Sequence, residues 1–175
     1  MKPILLALAC ALVAAAVESQ VSRVGVYDSR AVAYAHFWSM PVQQQHAALA
    51  ARAQAAKETG DDAQFQQVTA MIKAQRKQSH LEVFSSAPAT EAMTALHDRL
   101  PGIKQELGVT RLVSKWDTKT LAGVPTAYRI DVTDRLVHEF LPAPTPRQQQ
   151  TIAAMKRGKP LPLWEARLLN AFNAM

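Results

Sequence analysis

Four aspartates stand where a chain of alternating strands and helices gathers carboxylates. Asp28 follows the β-branched and aromatic run from Arg23 to Tyr27, Asp117 follows the run 109–116, and Asp131 and Asp134 flank the entry to a helix carrying Leu136, Val137 and Phe140. In an α/β fold such strand ends share a cleft, and two carboxylates there make the acid/base pair of a small secreted hydrolase or a ligand-binding pocket. The same residues have a structural use. A short acidic side chain before a helix accepts from the free amides of its first turn, so Asp28 and Asp131 read equally well as N-caps, with Thr133 and Asp134 completing the second entry. Asp117 reads as a turn former. If capping is all they do, substituting Asp28 or Asp131 costs roughly 1 kcal/mol and no turnover.

Nothing else in the chain points to a reaction. The five histidines, at 36, 46, 80, 97 and 138, form neither a His-Glu-x-x-His motif nor an i, i+4 pair, so no metal is expected. A single cysteine, Cys10, excludes a cysteine-based zinc cluster and a disulfide scaffold. There is no nucleophile-elbow, phosphate-loop or dinucleotide fingerprint, and six glycines leave little material for one. No catalytic residue and no cofactor is assigned.

The elements that position these residues follow from periodicity and punctuation. A strand over 23–28 feeds a helix bearing Ala31, Val32, Tyr34, Ala35, Phe37 and Trp38, apolar on most sides. Pro41 to Glu58 is rich in Ala and Gln, with a thin apolar face at Val42, Leu49, Ala53 and Ala56. Thr59-Gly60 stops it, and Asp61 or Asp62 caps a second helix carrying Phe65, Val68, Met71 and Ile72. Two helices of about 18 residues joined so closely make an antiparallel hairpin roughly 27 Å long. Lys73, Arg76 and Lys77 lie toward the C-terminal end of the second, where they offset its dipole or capture an anion.

Beyond the loop around Ser85 to Ala89, Thr90 caps a third helix that runs to Glu106 or Leu107 and is kinked or restarted at Pro101. Val109 to Trp116 is a second strand with both faces partly buried. A polar excursion from Asp117 to Pro125 precedes a short third strand, 128–131.

The chain has 175 residues, 49% of them hydrophobic, enough for one packed domain. Residues 1–19 have the layout of a secretory signal peptide: Lys2, an uncharged apolar run from Ile4 to Val17, and small residues at 14–16, with cleavage after Ala16 or Ser19. Cys10 reads as an apolar residue of that signal, lacking the context of a lipid-attachment site. The expected location is periplasmic or secreted, and the mature chain lacks cysteine. The net charge is +6. Residues 20–142 hold 14 basic and 12 acidic side chains, whereas 143–175 hold five basic against one acid. The excess therefore belongs chiefly to a tail behind the proline linker that begins at Pro142. That tail carries Arg147, Lys156, Arg157, Trp164 and Phe172, a set suited to a protein partner or an anionic membrane surface, or to docking on the domain itself. No aromatic ladder accompanies the charge, and nucleic acid is not an expected partner.

One order of features resembles a known family. A signal peptide, a first strand ending in Val26-Tyr-Asp28, a helical hairpin, a return strand Gly108-Val-Thr-Arg-Leu-Val-Ser-Lys115, and a final helix opened by Asp131, Val132 and Thr133 are similar to the Skp/OmpH-type periplasmic chaperones. The resemblance covers about residues 23–141. It implies a small β-containing body with outward helices and a trimeric holdase that shields unfolded envelope proteins in a basic helical cage. The interruptions at Gly60 and 85–88, and the helical tail, depart from that pattern.

The reading is an α-rich α/β protein with a two- or three-stranded sheet, a helical hairpin and a C-terminal helical appendage, divided into 1–19, 20–141 and 142–175. Its expected work is non-enzymatic protein binding, with Phe65, Met71 and Ile72 as apolar contacts, Arg76 and Lys77 as electrostatic capture, and a homo-oligomer as the assembly.

Overall fold

The computed structural model describes residues 22–172. The expected signal segment lies outside them. In chain order the elements are β1 (Val24–Tyr27), α1 (Ser29–Phe37), α2 (Met40–Thr59), α3 (Asp62–Phe84), α4 (Thr90–Ala95), α5 (Leu100–Leu107), β2 (Arg111–Ser114), α6 (Thr118–Ala122), a 3-10 turn (Thr126–Tyr128), β3 (Arg129–Asp131), α7 (Thr133–Phe140), α8 (Pro146–Arg157) and α9 (Leu163–Phe172). This is an α-rich α/β fold. The three strands form one parallel sheet in the order β2-β1-β3, so β1 is central and each neighbour is reached through helices, as parallel pairing requires.

Both faces of the sheet are covered. Tyr27, Leu112, Ile130 and Val132 join Val32, Leu96, Ile103, Leu136 and Ile152 in the main core. On the other face Val24 and Val113 meet Leu121 and Val124. The segment 117–125 thus contains a short helix, α6, and a satellite core where the sequence reads as a polar excursion. Two apolar residues among seven polar or small ones are too few to register as a periodicity, and only the sheet face gives them something to cover.

The hairpin is longer than its periodicity predicts: 20 residues in α2 and 23 in α3, about 30 and 35 Å at the standard rise. Gly60 ends α2 in the left-handed region (φ 71°), and the Asp61 carboxylate accepts from the Gln64 amide at 2.9 Å to start α3. From Lys57 to Gln67 only Phe65 is even half-buried, so the tip projects from the body.

The third helix breaks in two at 96–99. Pro101 then falls in the first turn of α5, where its missing N–H leaves no hydrogen bond unmade. Thr90 does not cap α4. The N-cap is Ala89, which offers no side-chain acceptor, and the Thr90 and Glu91 amides donate instead to Oε1 of Glu82 at 3.1 and 3.4 Å.

At the middle of the sheet Gly25 lets its neighbours close over β1. A Cβ there would lie 2.7 Å from Leu112 Cδ2 and 3.1 and 3.2 Å from the Val132 methyls. Gly25→Ala is expected to lower stability by about 1–3 kcal/mol through overpacking, read as a shift of the urea midpoint at unchanged slope.

Candidate functional site

The carboxyl ends of β1, β2 and β3 meet at one edge of the sheet, and the structure puts Asp28 at its centre. Asp28 is fully buried. Its Oδ1 accepts from the Arg30 amide at 3.1 Å, which is the expected N-cap, and also from Arg30 Nε at 3.3 Å and Trp116 Nε1 at 3.2 Å. Oδ2 takes the Arg30 guanidinium at 3.2 Å and Lys115 Nζ at 2.6 Å. Both cations lie over the Trp116 ring, at 4.8 and 4.5 Å from its centroid.

Two cations on one carboxylate leave donors over, and those donors reach the end of α8. Arg30 donates to the carbonyls of Met155 and Gly158, and Lys115 to the carbonyl of Lys156 at 3.0 Å. These carbonyls lie at the negative end of the α8 dipole. The sheet edge at which α/β proteins often bind ligands is therefore latched under the C-terminus of α8. Burial would raise the Asp28 carboxyl, but the hydrogen bonds and charges of Arg30 and Lys115 outweigh it and hold it below the ordinary range.

The remaining aspartates act locally. Asp117 is exposed and caps α6 through the Thr120 amide at 3.0 Å and hydroxyl at 2.6 Å, and these bonds hold its carboxyl low. Asp131 does not take the N-cap position expected of it: that residue is Val132, which caps with no side chain, and Asp131, one place earlier, accepts from the Thr133 amide at 2.9 Å in a turn that leads into α7. Thr133 does not cap its own helix. Its hydroxyl accepts from the Asp28 amide at 3.0 Å, tying the ends of β1 and β3 together, because the parallel register brings those ends side by side. Asp134, in the first turn of α7, pairs with Lys156 at 2.8 Å. Four acids near one sheet edge are thus committed to caps, a turn and ion pairs.

The residues assigned to binding are spread along α3. Phe65 and Ile72 face α2, in line with Val68, whereas Met71 lies off that line and is 42% exposed. Arg76 and Lys77 are exposed. In the tail, α8 packs Ile152 into the main core, so this half of the appendage is docked. Lys156 is engaged by Asp134, while Arg157 is exposed. Arg147 borders a groove with Tyr34 and Trp38. Trp164, on α9, is 66% exposed, and the Phe172 side chain lies outside the described residues.

Helix α9 runs antiparallel to the last turns of α3. Leu161 donates to the Phe84 carbonyl at 3.0 Å, and Asn170 Nδ2 to the Lys77 carbonyl at 3.4 Å. Beside this contact Phe84, Leu161, Trp164, Leu168 and Leu169 are left at least a third exposed. Only Trp164 of this set stands among the residues singled out from the sequence, though Trp164 and Leu168 are spaced four apart on one helix face.

Three further residues went unassigned. Arg30 stands two residues after its partner Asp28, whereas Lys115 carries no local signature, since strand pairing brings it to that carboxylate. Glu82 does carry one: Phe65, Val68, Ile72, Gln75, Ser79 and Glu82 follow a strict 3-4 spacing, so the inward face of α3 turns from apolar to polar partway along. Among the described residues no group of three or more His, Cys, Asp or Glu side chains could hold a metal. Comparison with family models, with curated proteins and with solved structures finds no match to this chain.

Removing the Asp28 carboxylate leaves two cations facing each other and the α8 terminus unlatched. Asp28→Ala should cost about 3–5 kcal/mol at neutral pH, well above a lost cap. Because the folded carboxyl lies below its unfolded value, this contribution is full above about pH 4 and disappears as pH falls through the folded value. Urea unfolding of the wild type and Asp28→Ala across pH 2–7 should show the two stabilities converging only at the acid end.

Proposed function

We propose that this chain is an exported, non-enzymatic binding protein of the bacterial envelope that holds unfolded or partner polypeptides. The observation that carries the reading is the uncovered apolar surface along α9 and the end of α3. Phe84 and Trp164 are 52% and 66% exposed, and Leu161 and Leu168 flank them. Large apolar side chains clustered at the surface mark a site that another chain covers. Exposed Lys77, Lys159 and Arg167 border the same region, suited to capturing a flexible chain before its apolar side chains settle. The projecting hairpin and the signal-like first segment agree with a periplasmic holdase of the Skp/OmpH type, assembled as a homo-oligomer. The competing hydrolase reading loses its main support, since Asp28, Asp117 and Asp131 are occupied by an ion-pair cluster, a helix cap and a turn.

The test is dilution of a urea-denatured outer-membrane barrel protein into buffer with or without the mature chain, followed by light scattering. Near-stoichiometric amounts should suppress aggregation, and static light scattering should give a mass above that of one chain. Trp164→Ser combined with Leu168→Ser should abolish most of the protection at unchanged thermal unfolding. A folded monomer that protects nothing would sink the reading.

A further inference from the structure

We infer that the cavity between α1, α2 and α3 is a binding site for a primary alkylammonium group, a site separate from the apolar surface of α9. The cavity is about 180 Å³ and is lined by Ala33, His36 and Phe37 of α1, Val42 and His46 of α2, Gln75, Ser79 and Glu82 of α3, and Glu91 at the start of α4. Its lining holds two carboxylates and no lysine or arginine, in a chain that is otherwise basic.

Glu82 is the decisive residue. It is 2% exposed, and its two oxygens are used very unequally. Oε1 accepts from Gln78 Nε2 at 2.9 Å and from the Thr90 and Glu91 amides, whereas Oε2 accepts no hydrogen bond among the described residues. Two turns earlier on the same inward face, the buried Oε1 of Gln75 has no donor. A buried acceptor without a donor is costly, and Gln75 Oε1 is one; with Glu82 Oε2, a second acceptor on this wall free of any protein donor among the described residues, it defines the chemistry that would satisfy them: a ligand rich in N–H and positively charged.

The rest of the cavity fits the remainder of such a ligand. The Phe37 and His46 rings meet at 5.2 Å between centroids, tilted by 54°, and offer ring surface to a cation, while Ala33 and Val42 offer apolar wall to an alkyl chain. His36 does not cancel the negative charge, because burial lowers its affinity for a proton. Burial in turn pushes Glu82 above the ordinary carboxylate range, the behaviour of a desolvated carboxylate lacking a counter-cation, which bound ammonium would supply.

The experiment is isothermal titration of the mature protein with n-butylammonium chloride, with 1-butanol and sodium butyrate as matched controls. Saturable binding of one butylammonium per chain, with neither control binding, is the expected result. Glu82→Gln keeps an acceptor for the α4 amides and should weaken binding by about tenfold or more, as loss of a charge-assisted hydrogen bond does. Should that variant fail to fold, Glu91→Gln decides, since the Glu91 side chain makes no hydrogen bond or ion pair among the described residues; it should weaken binding severalfold at unchanged melting temperature. Nα-acetyl-lysine amide distinguishes the source: binding equal to butylammonium points to a peptide lysine, and weaker binding to a free amine. No saturable binding to folded wild type, equal binding of 1-butanol, or unchanged affinity in the folded variants would each overturn the inference.

Discussion

A buried carboxylate beside two cations sets the geometry of the molecule. Asp28 ends the central strand, and from there it starts α1, draws in Lys115 from the end of β2, and holds the Trp116 indole. Its own amide is fixed by Thr133 from the end of β3. All three strand ends are therefore fastened at one residue. Burying one anion alone would be prohibitive, and burying it with two cations leaves surplus positive charge and surplus donors. The carbonyls at the end of α8 take up both, which is why the tail closes back onto the body rather than hanging from the proline linker.

That closure divides the tail in two. Its first half, α8, belongs to the core through Ile152 and to the latch through its last carbonyls. The second half, α9, is held to α3 at a few points and leaves its large apolar side chains uncovered. The basic excess of the tail is correspondingly less available than its composition implies, since Lys156 is paired with Asp134. What remains outward is an apolar surface with a cationic margin, and a binding role rests on that combination more than on charge alone.

A second buried carboxylate shows the opposite arrangement. Glu82 is nearly as deeply buried as Asp28, yet it has no cation among the described residues and is half-satisfied, by Gln78 and by amides that no local side chain caps. Asp28 lies low in its titration and Glu82 high, and the difference is the presence or lack of a counter-charge. One carboxylate closes a structure, and the other leaves a cavity with unused acceptors.

Much of the element order was legible in the sequence because the forces that set it act over a few residues. The Gly60 turn, the capping roles of Asp28 and Asp61, the turn at Asp131, the restart at Pro101 and the alternation of strands with helices all depend on neighbours within a turn. The 3-4 spacing on α3 likewise announces a polar inward face, although its meaning needed α1 and α2 opposite it. What only the tertiary structure decided are pairings between different elements: Lys115 with Asp28, Thr133 with the Asp28 amide, Glu82 with the start of α4, and α9 along α3. The composition shows that charged and polar residues are present. Which of them lose water, and therefore must find partners, is set when parallel strands and packed helices bring distant segments together.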